Sequence, residues 1–182
     1  IEPCFLYDKL QSEGHNFFSM TDPRFLDIMY EQYNIGLLLY GGVSRIGNDS
    51  AFDWANYIKT SNEYTRKTRL KIPMLYGADA VHGVNFVKGS TIFSHNLGVA
   101  STWNEELVYK YGEVVGKEMN SIGVNVNFAP TIDVARDQRW GRVYESLGED
   151  PYLASVMSEA LVSGMQNDKQ IAACAKHFVG YG

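Results

Sequence analysis

Ile35-Gly-Leu-Leu-Leu-Tyr40, closed by Gly41-Gly42, is a short apolar run with no polar alternation. That is the pattern of a strand buried on both faces rather than of one with a solvated side. It recurs along the chain. Ile72 to Ala78 repeats it, Ile122-Gly-Val-Asn-Val-Asn-Phe128 ends at Ala129-Pro130, and Ile171-Ala-Ala-Cys174 stops at Ala175-Lys176-His177. All four runs have the length of strands.

Helical patterns fill the intervals. Thr102-Trp-Asn-Glu105 reads as a capping box leading into Leu107, Val108, Tyr111, Val114, Val115 and Met119, whose spacing puts them on one face. Asp150-Pro151 places a proline at the first helical position, followed by Leu153, Val156, Met157, Ala160, Leu161 and Met165. A weaker helical pattern runs from Ser50 to Leu70, and another, from about Pro23 to Tyr33, precedes the first strand. The apolar stripes are read as packing faces against a sheet.

Strand and helix in alternation imply parallel βα units, in either an open doubly wound sheet or a (β/α)8 barrel. Periodicity does not choose between them. No GxGxxG or GxxxxGKS/T motif follows any of the runs, so the nucleotide signatures common to open sheets are missing, which favours the barrel. A complete barrel takes about 250 residues, so four units make about half of one. The predicted fold class is therefore α/β: residues 1–182 as a single-domain fragment, the N-terminal part of a TIM-type barrel with parallel strands. On this reading the isolated half is not expected to fold well, because it would leave unpaired strand edges and an open apolar face.

Composition limits the partners. With 45% hydrophobic and 20% charged residues the chain has the make-up of a globular domain. A net charge of -5 and no lysine or arginine run argue against nucleic acid as a partner. The apolar runs are far shorter than the roughly 20 residues that span a bilayer, so no membrane partner is expected. Cys4 and Cys174 form neither a disulfide framework nor a CxxC spacing, His82 and His95 lack HExxH spacing, and no acidic cluster resembles a calcium loop. No metal or other cofactor is expected. Asn48-Asp49-Ser50 fits the N-glycosylation acceptor pattern, which is short enough to arise by chance.

Three of the four strand runs carry polar groups at their ends: Asp79 after Tyr76-Gly-Ala, Asn127 beside Phe128, Lys176-His177 after Ala175. In both parallel architectures the carboxyl ends of the strands form the ligand-binding rim, so Asp79, Lys176 and His177 are expected to converge. Asp79 reads either as a turn cap, with His82 a satisfied loop histidine, or as an acceptor for sugar hydroxyls. Lys176-His177 reads either as a solvated surface pair or as donors that hold a nearby carboxylate ionised.

Residues 129–149 show no periodicity over about 20 residues, longer than an ordinary connection, and so point to function. Arg136, Asp137, Arg139, Trp140, Arg142, Glu145, Glu149 and Asp150 crowd into and just after this segment. They suit a surface salt-bridge mesh. Alternatively, Arg139-Trp140-Gly-Arg142 sets an aromatic plane beside guanidinium donors that could grip a carbohydrate ring. Glu149-Asp150 is read as a helix cap rather than a catalytic carboxylate pair.

Tyr76-Gly-Ala-Asp-Ala-Val-His-Gly83, Arg139-Trp-Gly-Arg-Val-Tyr-Glu-Ser146 and Ala175-Lys-His-Phe-Val-Gly180 occur in the order seen in family 3 glycoside hydrolases, which the chain resembles over roughly residues 35–182. Thr91-Ile-Phe-Ser-His-Asn-Leu-Gly98 and Gly148-Glu-Asp-Pro151 add to the resemblance. It implies that Asp79, Arg142, Lys176 and His177 hold the non-reducing-end sugar in the subsite where the bond is cut. It implies no catalytic residue among these 182: the family's nucleophile is an aspartate on a later barrel strand and its proton donor commonly lies in a following α/β domain. The implied reaction is retaining hydrolysis of terminal β-D-glucosyl residues from a β-linked glucoside or oligosaccharide. A β-xylosidase of the same family and a non-catalytic sugar-binding module are the alternatives.

The chain also departs from the family pattern. Ser94 stands where a proline is common and Tyr181 where an aspartate or asparagine often follows. Ala135 and Val143 replace a cysteine pair found in plant relatives, and Val179 replaces the proline typical of the N-acetylglucosaminidase branch. The resemblance favours a secreted, periplasmic or lysosomal setting.

Overall fold

The computed structural model describes residues 2–40, 46–167, 171–178 and 180. Gly41-Gly42, Val179 and Tyr181, which carried expectations about strand closure and sugar specificity, lie outside the described residues. Helix α1 (Pro3–Ser12) opens the chain, and α2 (Pro23–Asp27) continues into a π-helical turn at Ile28–Gln32. Strands β1 (Leu37–Tyr40), β2 (Leu75–Ala78), β3 (Val126–Asn127) and β4 (Ala172–Ala173) then alternate with α3 (Ala51–Thr65), α4 (Asn96–Ala100), α5 (Glu105–Ser121) and α6 (Pro151–Met165).

All four strands are parallel and stand in chain order, β1-β2-β3-β4. A doubly wound sheet reverses its strand order at a switch point. No reversal occurs among these strands, and the continuous order is that of a barrel wall. Register runs Leu38 to Tyr76 between β1 and β2, Gly77 to Val126 between β2 and β3, and Val126 to Ala172 between β3 and β4.

The strands are shorter than the apolar runs that announce them, and in the third run the cause is chemical. Asn125 Oδ1 accepts from the Tyr76 N–H at 2.8 Å and its amide nitrogen donates to the Met74 carbonyl, so a side chain takes bonds that a ladder would otherwise make. Asn127 does the same one step on, accepting from the Ala80 N–H at 3.0 Å.

The two faces of the sheet differ. Leu38, Tyr40, Tyr76 and Ala78 are buried, whereas Leu37 and Leu75, paired in register, are 40% and 47% exposed. This corrects the expectation of burial on both faces: the described helices cover one side only, and in a barrel the other side is the interior. On the covered side Trp54 of α3 meets Tyr40 edge-on at 4.9 Å and Tyr76 edge-on at 5.9 Å, geometries that suit aromatic quadrupoles.

Helix starts follow their caps. Ser50 caps α3 by accepting from the Asp53 N–H, and Asp150 caps α6 by accepting from Tyr152 and Leu153, with Pro151 at the first position. The predicted capping box at Thr102 is displaced. Asn104 is the cap of α5, accepting from the Leu107 N–H at 3.0 Å, while the Thr102 hydroxyl donates back to Val99. Val108, Tyr111, Val115 and Met119 form the buried face of α5, and Leu107, expected there, is half exposed. Helices α5 and α6 cross so closely that a Cβ on Gly112 or Gly164 would overlap the backbone of the facing helix.

Candidate functional site

The carboxyl ends of β2 and β4 carry the polar groups that the sequence places there. Asp79 follows β2 directly, and the next residue, Ala80, is pinned by Asn127, itself fully buried. Beyond β4 the chain stays alongside the segment that follows β3. Cys174 donates to the Asn127 carbonyl, Lys176 to the Pro130 carbonyl, and Ile132 back to the Lys176 carbonyl at 2.8 Å. This extension carries the two segments together past the sheet edge and sets Asp133 beside His177.

Three pairs with a carboxylate result. Lys176 Nζ donates to Asp79 Oδ1 at 2.7 Å, with the lysine side chain only 15% exposed. His177 Nδ1 lies 2.9 Å from Asp133 Oδ2, and the same oxygen accepts the His177 main-chain N–H at 2.7 Å. Arg142 grips Glu145 with two parallel bonds, Nε to Oε1 and Nη2 to Oε2, both 2.7 Å, the fork geometry of a strong guanidinium–carboxylate pair.

The pairs share one electrostatic neighbourhood. Hydrogen bonding from Arg142 holds the Glu145 carboxyl below its ordinary range against the opposing effect of burial, and the charges of Lys176 and His177 add to the lowering. Asn96 of α4 fixes the backbone of this turn by donating to the Glu145 carbonyl at 2.9 Å. All four predicted residues, Asp79, Arg142, Lys176 and His177, therefore belong to one cluster.

The charged connection divides in two. Arg139 is 90% exposed and paired with Asp137, so the surface-mesh reading holds for that half, whereas Arg142 turns to the site. His82 is the satisfied loop histidine, 3.3 Å from the Phe93 carbonyl and 3.2 Å from the Asn85 amide. Its ring lies 4.3 Å from that of His95, which packs edge-on against Tyr144. Burial and the neighbouring His82 keep the His95 imidazole below its ordinary value, with Glu145 acting against them.

The partner carboxylates are what the sequence reading lacked. Glu145 stands among the crowded charges with an i,i+3 spacing to Arg142 that is a readable signal of pairing. Asp133 carried none. Among the described residues no group of three or more His, Cys, Asp or Glu could hold a metal ion, and Cys4 and Cys174 are free thiols.

Comparison with known proteins agrees with the architecture and the motifs. The chain is 36% identical over 153 residues to a lysosomal beta glucosidase of Dictyostelium discoideum, covering 79% of this chain and 18% of that protein. It is 38% identical over 125 residues to a beta-xylosidase of Formosa agariphila, covering 62% of this chain and 17% of that protein. The crystal structure of an exo-1,3/1,4-beta-glucanase from a Pseudoalteromonas species superposes with a TM-score of 0.77 at 34% identity, covering 85% of this chain and 21% of that one. The chain thus spans less than a quarter of the length of each of these proteins. Residues 25–182 match the family profile described as "Glycosyl hydrolase family 3 N terminal domain", and the chain belongs to glycosyl hydrolase family 3.

Proposed function

We propose that this chain is the sugar-gripping part of a retaining exo-acting β-glucosidase, and that Asp79, Arg142, Lys176 and His177 hold the terminal β-D-glucosyl residue while the bond is cut by groups elsewhere in the full-length protein. The observation that carries this reading is the convergence of Lys176, His177 and Arg142, each paired with a carboxylate, near the carboxyl ends of parallel strands. A pyranose ring presents hydroxyls that both donate and accept. A rim with a carboxylate, an ammonium, a guanidinium and an imidazole meets each of them with a charge-assisted partner.

The same pairing argues against any of these residues as nucleophile. Asp79 is paired with Lys176, Glu145 with Arg142 and Asp133 with the His177 ring, each through a short hydrogen bond. A retaining mechanism needs two carboxyl groups about 5 Å apart, one attacking the anomeric carbon and one protonating the leaving oxygen. Those are assigned to parts of the protein beyond these residues.

Kinetics of the full-length protein with aryl β-D-glucoside and aryl β-D-xyloside test the reading. Release of glucose with the higher kcat/KM for the glucoside is expected. The similarity to a beta-xylosidase supports the second reading, and a preference for the xyloside would select it. Binding of glucose without turnover of any β-glycoside would leave a sugar-binding module.

A further inference from the structure

We propose that Asp133 is a positioning residue for the sugar site, holding the His177 imidazole in one tautomer and one orientation through a single carboxylate oxygen. The proposal rests on the reading of His177 as a sugar-binding residue. Asp133 Oδ2 takes the His177 main-chain N–H at 2.7 Å and lies 2.9 Å from the ring Nδ1. One acceptor atom thereby ties the backbone and the side chain of the same residue, which restrains the side-chain torsions between them. An ionised carboxylate only accepts, so Nδ1 carries the hydrogen and Nε2 is the nitrogen on the side of the ring turned away from Asp133.

The Asp133 side chain is 5% exposed, so water competes poorly for its oxygens. Its place is set by the chain extension beyond β3 and β4, through the Thr131–Lys176 bridge and the bond from Ile132 to the Lys176 carbonyl. Asp133 therefore rides on the same element that sets Lys176. A ring locked before the sugar arrives loses less freedom on binding, which strengthens the contact without adding one.

A double-mutant cycle in the full-length enzyme, read as kcat/KM on an aryl β-D-glucoside, tests this. Asp133→Ala is expected to lower kcat/KM about tenfold to a hundredfold when His177 is present, and by no more than about twofold in the His177→Ala background. Asp133→Asn, whose amide oxygen can take the place of Oδ2, should recover most of the loss. A purely structural role predicts equal losses in both backgrounds, and that result overturns the proposal. An asparagine variant no better than alanine overturns the acceptor role. Should Asp133→Ala not fold, Asp133→Ser, too short to reach the ring, replaces it in the same cycle. An inactive wild type, or a His177→Ala variant as active as wild type, instead fails the sugar-site reading and this proposal with it.

Discussion

Lys176 and Asp79 are 97 positions apart in the chain and 2.7 Å apart in space. That contact was legible as a tendency, because both follow apolar strand runs and parallel strands bring their carboxyl ends to one rim. The partners of Arg142 and His177 were less legible. Asp133 follows no apolar run and matches no motif, and what brings it to His177 is a backbone pairing beyond the assigned strands. At this scale Glu145 offers a pH test. Its folded pKa lies below the ordinary 4.5, chiefly because of Arg142. A lowered carboxylate contributes stability above its unfolded pKa and loses it as the pH falls through the folded one. The melting temperature of the full-length protein should exceed that of Glu145→Gln by a constant margin above about pH 5, with the gap closing as the pH drops below about 4. A margin unchanged down to pH 3 would contradict the pairing.

The elements were legible as a sequence of types, and their limits were not. Helix α6 begins at the predicted aspartate and proline, because a carboxylate cap and a proline act locally and leave a local mark. The third strand run reads as seven apolar-rich residues and yields two of strand, because Asn125 and Asn127 satisfy neighbouring backbone groups with their amides. This substitution makes Asn127 the residue that ties the segment after Asp79 to the sheet. Its amide also lies 3.3 Å from the Met165 sulfur of α6, so three elements meet on one fully buried side chain. Asn127→Ala should cost about 2 to 4 kcal/mol in denaturant unfolding, since it removes two hydrogen bonds and strands the Ala80 amide. A loss under about 0.5 kcal/mol would show that the ladder does not depend on this amide. The crossing of α5 and α6 offers a second test. Gly164→Ala would drive a methyl into the Tyr109 carbonyl, and a loss of about 1 to 3 kcal/mol is expected by the same measurement.

For the whole molecule, the order of the parallel strands decides the architecture, which the sequence indicated through the missing nucleotide motif and the resemblance carried by its three ordered motifs. The sheet is covered on one side by α3, through Trp54, and α6, through Met165, and leaves Leu37 and Leu75 open on the other. An apolar face of this kind needs a cover. The isolated 182 residues should bind a hydrophobic dye and unfold without a sharp thermal transition, and a cooperative transition with no dye binding would count against the half-barrel account. The central claim concerns what the rim holds, and the full-length protein and its Asp79→Ala variant test it most directly by calorimetry with glucose. Asp79→Ala removes the carboxylate proposed to meet the sugar and leaves Lys176 without its partner. The account predicts a single glucose site in the wild type, weakened at least about a hundredfold in the variant, whose melting temperature also falls because a largely buried lysine loses its carboxylate. Equal glucose affinity in the two proteins would contradict it.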